Sequence, residues 1–160
     1  MMNQNRSEDY YIRRLLNTVK ISEIMTRDVI SIKETDLFSL VEEKLRTFHI
    51  RHLPVVDQNN QLVGIVTQRD LYRIQSPRVS DDGNWFYNKE TLDSYILKQV
   101  MTHNPRNLFP DDCVGSAVLL MVKHKYGCIP IVARERKDLC GIITQYDILK
   151  IAGKILLTSD

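Results

Sequence analysis

Two threonine–aspartate pairs hold the chemistry this sequence offers. Thr67-Gln68-Arg69-Asp70 and Thr144-Gln145-Tyr146-Asp147 share the spacing Thr-x-x-Asp, and each closes an apolar run that begins at a glycine, Gly64-Ile65-Val66 and Gly141-Ile142-Ile143. Such a run predicts a strand, and Thr-x-x-Asp directly after it predicts the first turn of a helix. The same atoms allow two readings. In one, the pair is a capping box: the Thr hydroxyl accepts from the third helical N–H, and the Asp carboxylate reaches back to the cap N–H. In the other, the free N–H groups and partial positive charge of the helix N-terminus attract a phosphate. The Thr hydroxyl then contacts that phosphate, and the carboxylate one turn on holds the two hydroxyls of a ribose. A glycine or short polar residue on the strand lets a flat base lie against the backbone. The spacing fits a nucleoside phosphate as well as it fits a cap, and repetition does not decide, because a duplicated fold duplicates its caps.

The motif is one landmark of a longer internal repeat. Ile24-Met25-Thr26 returns as Val100-Met101-Thr102, and Leu53-Pro54-Val55-Val56 as Ile129-Pro130-Ile131-Val132, each displaced by 76 residues; the motif itself is displaced by 77. The extra residue fits an insertion in the polar stretch 133–138, opposite 57–61. Repeats at this period define the architecture before any other inference. Residues 1–18 read as a tail leading into a short helix, opened by the acidic turn Ser7-Glu8-Asp9 and carried by Tyr11, Ile12, Leu15 and Leu16. Residues 19–75 form the first domain. Within it 29–32 is a strand, and Asp36 caps a helix whose Leu37, Leu40, Val41, Lys44 and Leu45 lay an apolar stripe on one side. Residues 52–56 and 62–67 are strands joined by a polar turn, and a second helix starts near Gln68. Residues 94–157 repeat this order, with Asp112 as the cap of a helix over 113–125, strands over 129–132 and 140–144, and a closing helix over 145–157. Residues 76–93, polar around Trp85-Phe86-Tyr87, connect the two. Neither unit buries enough apolar surface alone, so the expected fold is α+β: two similar units packed face to face about an approximate two-fold axis.

Composition narrows the function classes. A formal charge of +2 with no basic stripe argues against nucleic acid, and no apolar run approaches the roughly 18 residues of a membrane span. The polar N-terminus lacks the apolar core of a signal peptide. Three cysteines, Cys113, Cys128 and Cys140, lack CxxC spacing and sit among apolar residues, as buried thiols of a reducing cytoplasm do. No nucleophile with a partnered base, Gly-rich phosphate loop or metal-ligand cluster can be assembled, so the expectation is a protein that is not an enzyme and needs no cofactor. His49-x-x-His52 lacks further ligands for a metal.

Met-Thr, the apolar-Pro-Val-Val strand and Gly-apolar-apolar-Thr-x-x-Asp, each present twice and in order, resemble the cystathionine-β-synthase (CBS) domain, and the tandem resembles the CBS pair or Bateman module. The likeness covers roughly residues 19–157. It implies β-α-β-β-α units with ligand clefts between the halves, taking an adenosine-containing small molecule: AMP, ADP or ATP, with S-adenosylmethionine a further candidate. By resemblance Asp70 and Asp147 bind ribose, and Thr67 and Thr144 lie near phosphate. The base rests beside Thr26, Val29, Ile30, Ser31, His52 and Leu53 in the first half, and beside Thr102, Pro105, Asn107, Cys128 and Ile129 in the second. Arg51, His52 and Arg69 supply a basic cluster where the second half has Gly127, Cys128 and Tyr146, and arginine grips phosphate with paired hydrogen bonds. The resemblance also implies a disc-like homodimer that a target protein reads. The competing expectation is a ligand-free interaction or oligomerisation scaffold, in which the Thr and Asp residues are caps and nothing more.

Overall fold

A computed structural model describes residues 10, 12–14, 16–75 and 78–157. The expected turn at Ser7-Glu8-Asp9, together with Tyr11 and Leu15, lies outside the described residues. Ile12 and Leu16, on either side, are helical. The chain divides into two compact units: one is continuous, Ile30–Pro105, and the other joins the chain before Ile30 to the chain after Pro105.

The continuous unit is built on a four-stranded sheet. In chain order it comprises β1 (Ile32–Lys33), α1 (Phe38–Thr47), β2 (His52–Val56), β3 (Leu62–Thr67), α2 (Gln68–Ile74), β4 (Arg78–Val79), β5 (Trp85–Phe86), α3 (Lys89–Asp93), α4 (Leu97–Val100) and β6 (Thr102–His103). The sheet order is β1-β2-β3-β6; β1 runs parallel to β2, and the other pairs are antiparallel. Leu53 through Val56 are buried in succession, the pattern of a strand covered on both faces. Pro54 is tolerated in this inner strand because β1 pairs only with Val55 and Val56, so its missing N–H faces no ladder partner. Ile32, Phe38, Val41, Leu53, Val55, Val66, Leu92 and Leu97 form the core, each at most 1% exposed.

The split unit repeats the plan with α5 (Val114–His124), β7 (Cys128–Val132), β8 (Leu139–Thr144) and α6 (Gln145–Leu157). Its hairpin is extended on both sides by single bridges, Leu108 parallel to Ile131 and Thr26 antiparallel to Ile142. The N-terminal chain is tied in by Ile21 N–H to Asp112 O and Ser22 N–H to Pro110 O, both 2.9 Å. Ile21, Met25, Ala117, Met121, Ile129, Ile131 and Ile143 form its core. Among the described residues no helix is long and apolar enough to cross a membrane.

The compact units therefore cut the chain differently from the sequence repeats. The Met-Thr segment of each repeat lies in the sheet that carries the other repeat's hairpin: Thr102 opposite Ile65, Thr26 opposite Ile142. Glycines make this possible. A Cβ at Gly64 would run into the side chain of buried Met101, and one at Gly141 into that of buried Met25.

Several local expectations need correction. The strand expected over 29–32 begins only at Ile32, because Val29 N–H turns back to Arg27 O at 2.9 Å. Asp36 is not the cap of α1: Leu37 holds that position, and the Asp36 carboxylate accepts Lys33 N–H at 2.9 Å. Leu37 is exposed, and Phe38 takes its place in the buried stripe. The second repeat shows the same one-residue displacement: Cys113 caps α5, while Asp112 accepts Phe109 N–H at 2.8 Å. In both repeats a carboxylate closes the turn before the helix, and the first helical residue is apolar. The connector contains the hairpin β4–β5 and the whole of α3, whose Asn88 cap accepts Thr91 N–H at 2.7 Å. Only Cys128 among the free thiols is buried, Cys113 and Cys140 being half-buried.

Candidate nucleotide-binding motifs

The two Thr-x-x-Asp motifs have nearly the same geometry. Asp70 Oδ2 accepts the Thr67 N–H at 2.9 Å and the Thr67 hydroxyl at 2.7 Å, while the Asp70 N–H donates to Thr67 Oγ1 at 3.3 Å. Asp147 Oδ2 accepts the same groups of Thr144 at 2.8 and 2.7 Å, and Asp147 N–H donates to Thr144 Oγ1 at 3.4 Å. Both capping boxes are complete. Each uses one carboxylate oxygen and leaves Oδ1 for a further donor; in the first motif Arg73, one turn on, approaches it at 3.5 Å.

The hairpins place the preceding residues against these helix starts. Arg51 O accepts Gln68 N–H at 3.0 Å, and Gly127 O accepts Gln145 N–H at 3.1 Å. His52 faces Thr67 across β2–β3, and Cys128 faces Thr144 across β7–β8. In the continuous unit Arg51, His52, Thr67, Arg69 and Asp70 thus gather at one end of the sheet. Burial, with the Arg51 and Arg69 charges adding, holds the His52 imidazole below its usual range near 6.5. The end is cationic without a protonated histidine, a field suited to an anion. At the matching end of the split unit burial pushes the Cys128 thiol up to about 12, and Lys150 Nζ lies 4.7 Å from the centre of the exposed Tyr146 ring. That end carries a neutral thiol and an aromatic face.

The remaining expected residues divide between the units. Ile30 and Ser31 precede β1, and Ser31 O accepts Lys44 Nζ at 2.6 Å. Thr102 is exposed on β6, followed by half-buried Pro105. Thr26 and Val29 belong to the split unit, with Asn107 just before the bridge at Leu108. The sequence groups Thr26 with Thr67; the strand pairing instead sets Thr26 two positions from Thr144, and Thr102 two from Thr67. Leu53 and Ile129 are fully buried, so only their backbone is left to meet a ligand. Arg73 and Lys150 are the site neighbours the sequence reading missed. Their i+3 spacing from Asp70 and Asp147 was the available signal.

Residues 21–76 and 97–154 match the CBS domain family model. Over 145 residues the chain is 28% identical to a homoserine O-acetyltransferase of Methanococcoides burtonii, a match that takes in 91% of this chain and 26% of that one. The chain thus spans about a quarter of the length of this curated relative. Among solved structures, CBSX2 from Arabidopsis thaliana, in complex with AMP, aligns with a TM-score of 0.70 at 24% identity, over 86% of this chain and 98% of that one. The CBS domain pair of protein MJ0100, in complex with 5′-methylthioadenosine and S-adenosyl-L-methionine, aligns with a TM-score of 0.70 at 22% identity, over 86% and 98% of the two chains. With two matched segments and a fold shared with CBS pairs, this chain belongs to the CBS domain family, as a tandem pair of such domains.

Proposed function

We propose that the chain is a regulatory module that binds AMP, ADP or ATP and signals by a change of conformation or oligomeric state, without catalysing a reaction. The observation that carries this reading is the cationic end of the continuous unit, where Arg51 and Arg69 flank a complete Thr67–Asp70 motif. Two guanidiniums beside a helix start suit a phosphate chain, and Asp70 Oδ1, outside the capping box and met only by Arg73 at 3.5 Å, has a lone pair for a ribose hydroxyl. The adenosine ligands of CBSX2 and MJ0100 support the ligand class. S-adenosylmethionine, whose sulfonium is a cation, suits the Asp147 motif better, because Tyr146 stands there in place of Arg69. Homoserine O-acetyl transfer is not carried over, since the chain spans only 26% of that relative.

A homodimer fits the exposed Leu119 and Val122 of α5 and Leu149 of α6, apolar side chains that a second copy would cover. We place the module in the cytoplasm, acting on a protein target that reads the liganded state. One observation favours a ligand-free scaffold instead: both capping boxes are satisfied internally, so neither Asp needs a ligand.

Thermal unfolding against AMP, ADP, ATP, S-adenosylmethionine and a guanine-nucleotide control separates the readings. A ligand at 100 times its Kd adds about 2.7 kcal/mol, a shift of several degrees. A rise with adenine ligands that Asp70→Asn abolishes, while that variant's unliganded Tm stays within a few degrees, is the expected result. No rise with any ligand at millimolar concentration makes the scaffold the better account.

A further inference from the structure

Between α1, α2 and the β4–β5 hairpin, wholly within the continuous unit, lies a cavity of about 660 Å3. Small-molecule sites typically enclose about 300–1,000 Å3. Its lining combines three kinds of group. Leu45 and Leu71 are buried and apolar. Tyr72 and Trp85 offer ring surface, Trp85 remaining 68% exposed although it lines a concavity. Arg46 and Arg51 bring two guanidiniums against the single carboxylate of Glu42. Arg46 is bonded to Glu42 through Nε at 3.0 Å, so its two Nη groups remain as donors. Arg51, exposed at the rim, also belongs to the motif end described above, so Arg46 is the cation particular to this cavity.

Tyr87 supplies the feature that points to a ligand. Its hydroxyl is buried and has no hydrogen-bond partner among the described residues. A buried donor left unpaired is costly and uncommon, and such groups mark places where an unseen partner belongs. Burial, reinforced by Tyr72 and Glu42, pushes this hydroxyl up to about 12, so at neutral pH it remains an O–H that can donate.

We propose that this cavity binds a flat aromatic oxyanion, its ring stacked on Trp85 and its charged group held by Arg46 while accepting from the Tyr87 hydroxyl. Each part of the lining has a role on this assignment. The exposed indole gains a stacking partner, the surplus guanidinium charge is matched, and the buried Tyr87 hydroxyl is satisfied. The split unit has no counterpart of the β4–β5 hairpin among its described elements, so the cavity belongs to the continuous unit alone.

Trp85 is the only tryptophan in the chain, so its fluorescence reports on this cavity directly. The full chain is titrated with 4-nitrobenzoate, a non-fluorescent aromatic anion that quenches indole on stacking, and with neutral 4-nitrobenzyl alcohol. Saturable quenching by the carboxylate is expected, weakened roughly tenfold in affinity by Tyr87→Phe and by Arg46→Gln, with the alcohol much weaker. Tyr87→Phe keeps the ring and removes only the unpaired hydroxyl, so its unliganded Tm should hold or rise; a folded variant is thus assured for the comparison. AMP at saturation should leave the quenching in place. Unsaturable quenching, equal quenching by the alcohol, or indifference to both substitutions would overturn the proposal. So would displacement by AMP, which would make this the nucleotide site and not a second one.

Discussion

Arg51, His52 and Arg69 stand at the motif end of one hairpin; Gly127, Cys128 and Tyr146 stand at the same three positions of the other. Around these differing residues the frame is almost unchanged. The Thr hydroxyl reaches its Asp at 2.7 Å in both units, and the backbone closure onto the following helix is 3.0 Å in one and 3.1 Å in the other. Both hairpins carry an irregularity at the same place, between Val55 and Val56 and between Ile131 and Val132. A left-handed residue follows α1 and α5 at equivalent positions, His49 at φ 52° and Lys125 at φ 56°. What the backbone needs in order to close has been kept twice, whereas the residues beside the motif, which the frame does not need, have diverged. The chemistry of ligand choice is therefore to be sought in those three positions rather than in Thr and Asp.

The helices diverge in the same sense. Leu119, Val122, Tyr146 and Leu149 of α5 and α6 are 65–74% exposed, and their counterparts on α1 and α2 are Glu43, Arg46, Arg69 and Tyr72. One unit presents an apolar helical surface, while the other presents a charged one with a hairpin against it.

The largest expected contrast lies in the cores. Phe38 opens α1 fully buried, and Val114 opens α5 at 1% exposure. Phe38→Ala should cost about 3–5 kcal/mol, and Val114→Ala a smaller loss of about 2 kcal/mol, because fewer buried carbons are removed. Urea unfolding of the two variants checks this. Equal costs would mean that the Phe38 site collapses around its cavity and that the two cores are less alike than their sequence registers indicate.

Next comes the charge difference itself. Replacing Arg51 by Gly and Arg69 by Tyr gives the continuous unit the second unit's residues at two of the three positions. ATP affinity should then fall by roughly 10- to 100-fold, the worth of one or two charge-assisted hydrogen bonds. Because neither side chain takes part in the Thr67–Asp70 box, unliganded stability should change little. The reverse exchange, Gly127→Arg with Tyr146→Arg, is sterically open in one respect: Gly127 is not in the left-handed region. Calorimetric titration reads both. Unchanged ATP binding in the first variant would sink the view that these cations hold phosphate.

Much of the shared frame could be read from the chain because repetition supplied every landmark twice. The hairpins, the capping boxes and the one-residue surplus of the second turn all follow from residue order. Where the reading slipped, it slipped by one residue at the starts of α1 and α5: Asp36 and Asp112 look like caps, yet they close the turn ahead of Leu37 and Cys113. A carboxylate before a helix serves either bond, and sequence does not say which N–H it meets. The placement of Thr26 and Thr102 was illegible for a different reason. Pairing between Thr102 and Ile65, 37 residues apart, and between Thr26 and Ile142, 116 apart, is settled by the fit of Met101 over Gly64 and Met25 over Gly141, a packing fact with no local signature. The aromatic connector announced itself by composition, but its cavity depends on α1 and α2 and could not be located without them.

A pH test sharpens the comparison at one pair of positions. His52 is held below its usual range near 6.5 by burial and by Arg51 and Arg69. Above that range folded and unfolded chains both carry a neutral imidazole. As pH falls through it, the unfolded chain takes up a proton that the folded unit resists, so stability is lost toward acid. Cys128, at the equivalent position and pushed up to about 12, contributes nothing over this interval. Urea midpoints measured from about pH 7.5 to about pH 5.5 should fall, and His52→Gln should flatten that slope. An anion bound between the arginines should oppose the fall by drawing the imidazole upward, so adding ATP should flatten the slope as well. A slope indifferent to His52→Gln would place its cause elsewhere in the chain.

The smallest effect concerns a backbone requirement that the two repeats meet with different residues. The turns between β2 and β3 and between β7 and β8 each hold one residue in the left-handed region, Asn60 at φ 63° and Lys137 at φ 59°. Asparagine enters that region at little cost, whereas lysine carries a Cβ and lacks a short side chain that can bond locally. The first turn is further held by Asp57, whose Oδ1 accepts Asn59 N–H at 2.8 Å and Gln61 N–H at 2.9 Å; Ala133, at the equivalent place, has no carboxylate to do so. Lys137→Gly should therefore stabilise the split unit by about 0.5–1 kcal/mol, and Asn60→Lys should destabilise the continuous one by a similar amount. Both positions are exposed, so packing contributes little to either change. Differential scanning calorimetry resolves shifts of this size. If Lys137→Gly lowered Tm, the lysine side chain would have to be making a compensating contact, and the two turns would differ in more than the residue that occupies the left-handed position.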